Sequence, residues 1–309
     1  MSTPKKKVKR RLRWGRVIPI VLIVAVLISG TVVFAKYKSA KKELEEGGSN
    51  AFIAVLGIDA RESLDSVRSD VMMIAYVDFA NKKLNLISLP RDSMVPIPCE
   101  NGELDKITHA YFFGSMNGGD EGGRSCAIGA IRDTFQLEAL DHYAVVDFDA
   151  LISLVDDLGG IDVTPSKTFC EYNSDDSGKI CFTAGERTTM DGEMALAYSR
   201  HRKTDNDIYR TQRQQEVLTG ILGKVRKMSM AEMTLFAPKV LKAVKTNITL
   251  SEIMAYYSLS REEGFSWQHM TAPGGDYYSD GVYYYKLDEE WLNQTIADMK
   301  SKEENDKKK

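Results

Sequence analysis

Three segments hold charged residues where folding alone would not put them. In the first, GIDARESLDSVRSD, Asp59 closes an apolar strand pattern and Asp70 opens the next, with Arg68 two residues earlier. Carboxylates at adjacent strand ends suit a hard cation such as Mg2+, which takes oxygen ligands from one or two protein carboxylates and from phosphate. The second, LISLPRDSM, delivers Arg91 and Asp92 from an apolar strand behind Pro90. The third, AYSRHRKTDNDIYRTQRQQEVLTGIL, is the most informative. On a helix advancing about 100° per residue, Asp207, Arg210, Arg213 and Gln214 share the side of Val217, Leu218 and Ile221. A solvated charge run would occupy the opposite side. Arginines in a first helical turn oppose the helix dipole, so an anion is expected to compensate. With Arg200 and Arg202 just upstream, and the free N–H groups of a helix start, the segment suits a phosphate or pyrophosphate gripped by guanidinium forks.

Each group has a blander role to set beside this one. Asp59 and Asp70 can cap turns. Arg91 with Asp92 can form a structural salt bridge, and the later arginines can pair with Asp205, Asp207 and Glu216. His109 and His201 have no metal-ligand spacing and are read as structural.

These residues need elements to hold them. Ala51 to Ile58 reads as a buried strand, followed by strands at Val71 to Phe79 and Lys83 to Leu89 joined by a turn at Ala80 to Lys82. Helices are expected around Lys106 to Phe113 and Ala127 to Phe135. A strand follows at His142 to Asp147, then a helix from Phe148 to Leu158 stopped by Gly159 and Gly160. Later helices are read at Gly192 to Tyr198, Asp207 to Lys227, Met230 to Val244, Ser251 to Ser258 and Asp288 to Met299. Strands mixed with helices predict an α/β layered domain. There is no internal repeat.

The 309 residues have a net charge of -3, which hides an asymmetry: residues 1–16 carry eight Lys or Arg and no acid, leaving 33 basic against 44 acidic residues beyond them. That acidic remainder argues against nucleic-acid binding. Val17 to Ala35 is nineteen residues without a charge, about the length that spans a bilayer as a helix. The basic cluster before it places residues 1–16 in the cytoplasm and everything from Lys36 outside, a single-pass type II arrangement in the cell membrane. A cleaved signal peptide is the competing reading, against which the length of the run speaks. Residues 36–50 then form an extracellular stalk, 51–299 the folded domain and 300–309 a charged, disordered tail. Four cysteines suit an exported domain with two disulfides and allow three connectivities. Cys170 and Cys181 bracket a short polar loop, so local closure is the cheapest pairing and leaves Cys99 with Cys126. A zinc site lacks both a C-x-x-C and histidines at suitable spacing.

In this order and spacing the three segments, together with DKITHAYFFG, DALISLVDDLGGIDV and TAGERTTMDGEMALAYSRHR, resemble the LytR-CpsA-Psr family from Ala51 to the final helix. The resemblance implies an α/β domain in which a central mixed sheet is flanked by helices (α/β/α). It implies a polyprenyl pyrophosphate held with its tail in an apolar cavity and its head group on arginines. The activity implied is transfer of wall teichoic acid, capsular polysaccharide or another glycopolymer from that carrier to peptidoglycan, Mg2+ assisting. Carried onto this chain, Asp59 and Asp70 would bind the metal. Arg68, Arg91, Arg200, Arg202, Arg210 and Gln214 would contact pyrophosphate, and Asp207 would orient the arginines. Asp59 and Asp92 are the candidates for taking the acceptor hydroxyl's proton, with metal activation alone as the alternative. The two bridges and the acidic loop EYNSDDSGKI are not features the resemblance requires.

Two other classes of function share the arginines. A non-catalytic module that senses lipid-pyrophosphate would keep its affinity without Asp59 and Asp70. A polyprenyl-pyrophosphate pyrophosphatase would direct water as nucleophile and need no acceptor. The cytoplasmic segment is too short for a DNA-binding domain.

Overall fold

The computed structural model describes residues 38, 42, 51–59, 67–138, 140, 142–202 and 207–307, with the backbone alone at 207 and 302–307. The expected membrane helix at 17–35 and most of the stalk lie outside the described residues. Among the described residues, no helix is long and apolar enough to cross a membrane.

Strands β1 (Ala51–Asp59), β2 (Arg68–Asp78) and β3 (Lys83–Leu89) form an antiparallel meander. The β2–β3 turn puts Lys82 at φ 52°, and the Asp78 carboxylate accepts from Asn81 N and Nδ2, both at 2.9 Å. β6 (His142–Val146) lies parallel to β1, and the short β11 (Lys245–Thr246) closes that edge. β12 (Ser266–Thr271) lies parallel to β3 at the other edge, giving a six-stranded mixed sheet in the order β11-β6-β1-β2-β3-β12.

Both faces of this sheet are covered, which is why β1 reads as a nearly continuous apolar run. Alternate residues serve different cores. Phe52, Ala54, Leu56 and Ile58 pack with helix α1 (His109–Thr134) and with Trp291 and Leu292 of the final helix. Ala51 and Ile53 pack on the other side with Leu218, Leu222 and Leu259. The expected pair of helices between Lys106 and Phe135 is one element broken at Gly119, whose φ of 58° interrupts the helix.

On the second face lie α2 (Phe148–Asp157), α3 (Gly192–Arg200), α4 (Asp207–Lys227), α5 (Met230–Ala243) and α6 (Leu250–Ser260). Their starts are written in the sequence. Asp147 caps α2 through Ala150 N at 2.9 Å, and Asp191 caps α3 through Met194 N at 2.9 Å. Reciprocal Ser229/Glu232 and Thr249/Glu252 boxes open α5 and α6.

Four two-stranded ribbons complete the domain: β4 (Met94–Ile97) with β5 (Glu103–Lys106), β7 (Ile161–Val163) with β10 (Thr188–Met190), β8 (Phe169–Tyr172) with β9 (Lys179–Phe182), and β13 (Gly274–Ser279) with β14 (Val282–Leu287). The two expected disulfides are present, Cys99–Cys126 tying the 3-10 turn after β4 to α1 and Cys170–Cys181 joining β8 to β9. One expectation is corrected at the C-terminus. Helix α7 spans Glu289–Lys307, so the stretch from Lys300 read as a disordered tail is helical.

Candidate active site

A cavity of about 550 Å3 opens where β1 and β2 end against α2, α3 and α4. One part of its wall is charged and carries Asp59, Asp70, Glu171, Arg200, Arg202 and Arg210. The other part is apolar, with Leu151, Leu154, Val217, Leu218 and Ile221.

Asp70 reaches this cavity through a fault in the sheet. Gly57 pairs with Val71 and Ile58 with Ser69, so Asp70 is the extra residue of a β-bulge. Strict alternation would put Asp70 on the side of Met72, which belongs to the α1 core. The bulge instead turns Asp70 and Val71 to the same wall as Asp59. Gly57 makes this possible, since a Cβ there would lie 2.8 Å from both Cβ and Cγ2 of Val71.

Asp70 is the hub of the charged end. Its Oδ1 accepts from Arg91 Nη1 at 2.5 Å and its Oδ2 from Arg202 Nη2 at 3.1 Å. Arg91 sits in the turn after β3, closed by Ser93 N on the Pro90 carbonyl at 2.9 Å. Thr108 holds that turn from outside, its N–H donating to the Arg91 carbonyl at 3.1 Å and its hydroxyl to the Ser69 carbonyl at 2.8 Å.

Arg200 closes α3, where a cation suits the helix C-terminus. Its Nη2 donates to the carbonyls of Tyr172 and Asn173, both at 3.1 Å, and its guanidinium lies 5.5 Å from the Phe148 ring centroid. Asp176 stands 4.0 Å away. Nη1 is buried and has no hydrogen-bond partner among the described residues. A buried donor in that state costs about 1–3 kcal/mol, which an anionic oxygen would relieve. Arg200 ends the preceding helix and so does not oppose the dipole at the start of α4.

On α4 the spacing Arg210, Gln214, Val217, Leu218, Ile221 lines one wall of the cavity. Arg213 departs from the expected face: its Nη2 donates to the His201 carbonyl at 2.6 Å and its guanidinium lies 5.2 Å from the Phe169 ring. Tyr198 on α3 is tied to α4 through Glu216 Oε2 at 2.5 Å, and burial followed by that carboxylate pushes its hydroxyl pKa well above the ordinary tyrosine range.

Residues 27–301 match the model of the LytR_cpsA_psr family. The chain belongs to the LytR-CpsA-Psr family. It is 29% identical to the polyisoprenyl-teichoic acid–peptidoglycan teichoic acid transferase TagT of Bacillus subtilis, across 97% of this chain and 98% of TagT. The crystal structure of B. subtilis TagV superposes with a TM-score of 0.71 at 27% identity, covering 82% of this chain and 97% of that one. A structure of TagT bound to LIIa-WTA gives a TM-score of 0.65 at 28% identity, covering 83% of this chain and 91% of that one. The mixed α/β architecture is thus that of other LytR-CpsA-Psr proteins.

Of the site residues expected from the LytR-CpsA-Psr resemblance, Asp59, Asp70, Arg200, Arg202, Arg210 and Gln214 share the cavity wall. Arg68 does not line it. It is exposed at the first position of β2, opposite Asp59. Arg91 reaches the cavity only through Asp70. The side chain of Asp207 lies outside the described residues. Asp92 also stands off the wall, its carboxylate held 2.9 Å from Lys106 Nζ. Asp59 and Asp70 both line the cavity and offer the hard oxygens that Mg2+ takes, with both Asp70 oxygens also accepting from arginines. Among the described residues there is no group of three or more His, Cys, Asp or Glu arranged to hold a metal.

Three wall residues escaped the sequence reading. Asp147 was legible as the cap before the helix at Phe148. Glu171 was not, although the expected Cys170–Cys181 closure makes its neighbours a ribbon. Phe148, beneath Arg200, reads only as a helix start. The loop EYNSDDSGKI, expected at the surface, has an exposed tip but a base that holds Arg200.

Proposed function

We propose that this chain is an extracellular, membrane-anchored transferase that moves a glycopolymer from a polyprenyl-pyrophosphate carrier onto peptidoglycan, assisted by Mg2+. The observation that carries this reading is the two-part character of the cavity. Its apolar part adjoins a second cavity of about 280 Å3, with Leu154 and Ile221 lining both. The second cavity is walled by Leu222, Val225, Phe236, Ile253 and Trp267 on the inner side of the sheet. A charged mouth leading into an apolar recess matches an amphiphile with a pyrophosphate head and an isoprenoid tail.

In this reading Arg200, Arg202, Arg210 and Gln214 bind the pyrophosphate oxygens. Asp70 orients Arg91 and Arg202, so that cationic groups stand ready where charge gathers on the polyprenyl phosphate as the acceptor hydroxyl attacks the distal phosphorus and the pyrophosphate bond breaks. Asp59 and Asp70 would hold Mg2+, which when bound supplies a further positive centre beside the phosphates. The acceptor hydroxyl of peptidoglycan enters from the open, charged side. The apolar run at 17–35 anchors the domain beside the membrane in which such a carrier resides. The names of the relatives, which are teichoic acid transferases, support the same reading for the polymer class.

The test is transfer itself. Full-length protein in detergent, given a synthetic polyprenyl-pyrophosphate saccharide, Mg2+ and peptidoglycan, should release polyprenyl phosphate only when peptidoglycan is present. Release without the acceptor would identify a pyrophosphatase. Binding without release, unaffected by loss of Asp59 and Asp70, would identify a sensor.

A further inference from the structure

The sequence Arg200-His201-Arg202 alternates in direction. Both arginines line the cavity, whereas His201 between them is 1% exposed and turned inward. Its Nδ1 lies 3.0 Å from Glu171 Oε2, and its ring stacks on Phe169 with centroids 4.1 Å apart. Its carbonyl accepts from Arg213 at 2.6 Å.

Glu171 and Phe169 both belong to β8, whose neighbour Cys170 is bridged to Cys181 on β9. The same ribbon supplies the Tyr172 and Asn173 carbonyls that accept from Arg200. Glu171 is itself spent on this arrangement, since Oε1 accepts from Tyr172 N at 2.9 Å while Oε2 faces His201. A carboxylate with both oxygens engaged is poorly placed to take a substrate proton, though it lines the cavity. Its geometry is that of an anchor.

We propose that Glu171 and His201 are positioning residues, which lock the backbone between Arg200 and Arg202 to the disulfide-closed β8–β9 ribbon and so aim both guanidiniums at one anion. The inference rests on the pyrophosphate-binding reading above and deepens it. Charge alone does not make a bidentate site, because a fork that is free to rotate loses the directional part of its affinity. Two arginines separated by one residue project the same way only if the intervening backbone is fixed, and the buried imidazole supplies that fixing. The bridge matters because it holds Glu171 and the two carbonyls in one rigid piece.

The experiment uses full-length protein in detergent, with geranylgeranyl pyrophosphate as the probe. Titration gives the affinity and thermal unfolding the stability of each variant. His201→Phe keeps a flat ring on Phe169 but loses the donor to Glu171, and should bind about tenfold more weakly. His201→Asn restores a donor near the Nδ1 position and should recover most of that loss. Glu171→Gln and the paired Cys170→Ser/Cys181→Ser change should weaken binding in the same direction, which keeps the test open if His201→Phe does not fold. A purely structural role predicts lower melting temperatures with unchanged affinity in whatever folds, and that pattern overturns the inference. Arg200→Ala separates the two levels. If it abolishes binding while His201→Phe and Glu171→Gln bind like the parent, only the positioning role falls. If the parent does not bind, or Arg200→Ala binds equally well, the pyrophosphate reading falls and takes the positioning role with it.

Discussion

At Arg200 the stabilising and the functional uses of one charge can be separated. The two carbonyls on Nη2 fix the side chain, and the buried Nη1 leaves a donor available to a ligand. Truncation removes two hydrogen bonds but also removes that uncompensated donor, so Arg200→Ala should change stability by about 1 kcal/mol or less. Pyrophosphate-dependent transfer should fall about a hundredfold, roughly the 3 kcal/mol of a desolvated, charge-assisted contact. Arg200→Lys should recover only part, since an ammonium lacks the planar fork. Arg210, 2% exposed on α4, should behave differently. Its loss opens a buried space beside the core as well as the cavity, so Arg210→Ala should melt several degrees lower and also transfer poorly. Arg202 is half exposed, so solvent screens its pair with Asp70 and its removal should cost less than either. Transfer rate and melting temperature on the same three proteins check all of this. The sequence put Arg210 on the side of Val217, Leu218 and Ile221, and all four line the cavity. It could not tell that Arg213 turns away to His201, because that choice depends on a carbonyl brought in by another element.

The elements that aim these residues depend on local irregularities more than on regular pairing. Gly57 and the bulge at Asp70 are one device: the close approach of Val71 leaves no room for a Cβ, and the bulge uses that approach to rotate Asp70 into the cavity. Gly57→Ala should therefore destabilise by about 1–3 kcal/mol through overpacking, and Val71→Ala in the same chain should return only part of it, since the Cβ of residue 71, 2.8 Å away, remains. Denaturant unfolding of the two single variants and the double closes a mutant cycle, whose coupling should be clearly non-zero. A second brace joins the kinked helix α1 to β11, where Asp120 accepts from Tyr111 Oη at 2.6 Å and from Lys245 Nζ at 3.2 Å. Burial works against the Asp120 carboxylate, but Tyr111 and Lys245 outweigh it and hold its pKa below the ordinary carboxylate value. The stabilisation is then present above the unfolded-state pKa of about 4 and is lost as pH falls through the lower folded value. The melting temperature of Asp120→Asn should lie below the parent at pH 7, and the gap should narrow as the pH falls below the unfolded-state pKa of about 4. Long apolar strands and capped helices were legible because their signals are local, and β1 to β3 and α2 to α6 lie close to where the sequence puts them. The ribbons β4–β5, β7–β10 and β8–β9 and the edge strand β12 were not, since three to six residues give no period and their pairing is made by tertiary contact. The β13–β14 ribbon carries a readable signal, an Asp280-Gly281 turn between tyrosine-rich runs, which weighed too little beside the helices.

At the scale of the whole molecule, a sheet buried on both faces would normally leave no internal space, since protein interiors pack to crystal-like density. Here the α1 side is filled by Tyr111, Phe135, Ile131 and their neighbours. The opposite side keeps two adjoining cavities, and Ile221 and Leu154, which line both, would form the neck of any passage between them. Empty apolar volume destabilises a fold in proportion to its size, so a recess of this extent is most simply explained by an apolar guest. If the tail of a prenyl pyrophosphate passes the neck, affinity should rise with chain length until the second cavity is filled, by roughly 0.8 kcal/mol for each buried CH2 group at most. Ile221→Trp would obstruct the neck while leaving Arg210, about three helical turns away, untouched. Its affinity for geranyl pyrophosphate should stay near that of the parent, whereas the additional affinity for geranylgeranyl pyrophosphate should disappear. A variant that loses both equally would show that the substitution disturbed the charged mouth. One that keeps the full length dependence would show that the tail takes another path, and the second cavity would then need a different explanation.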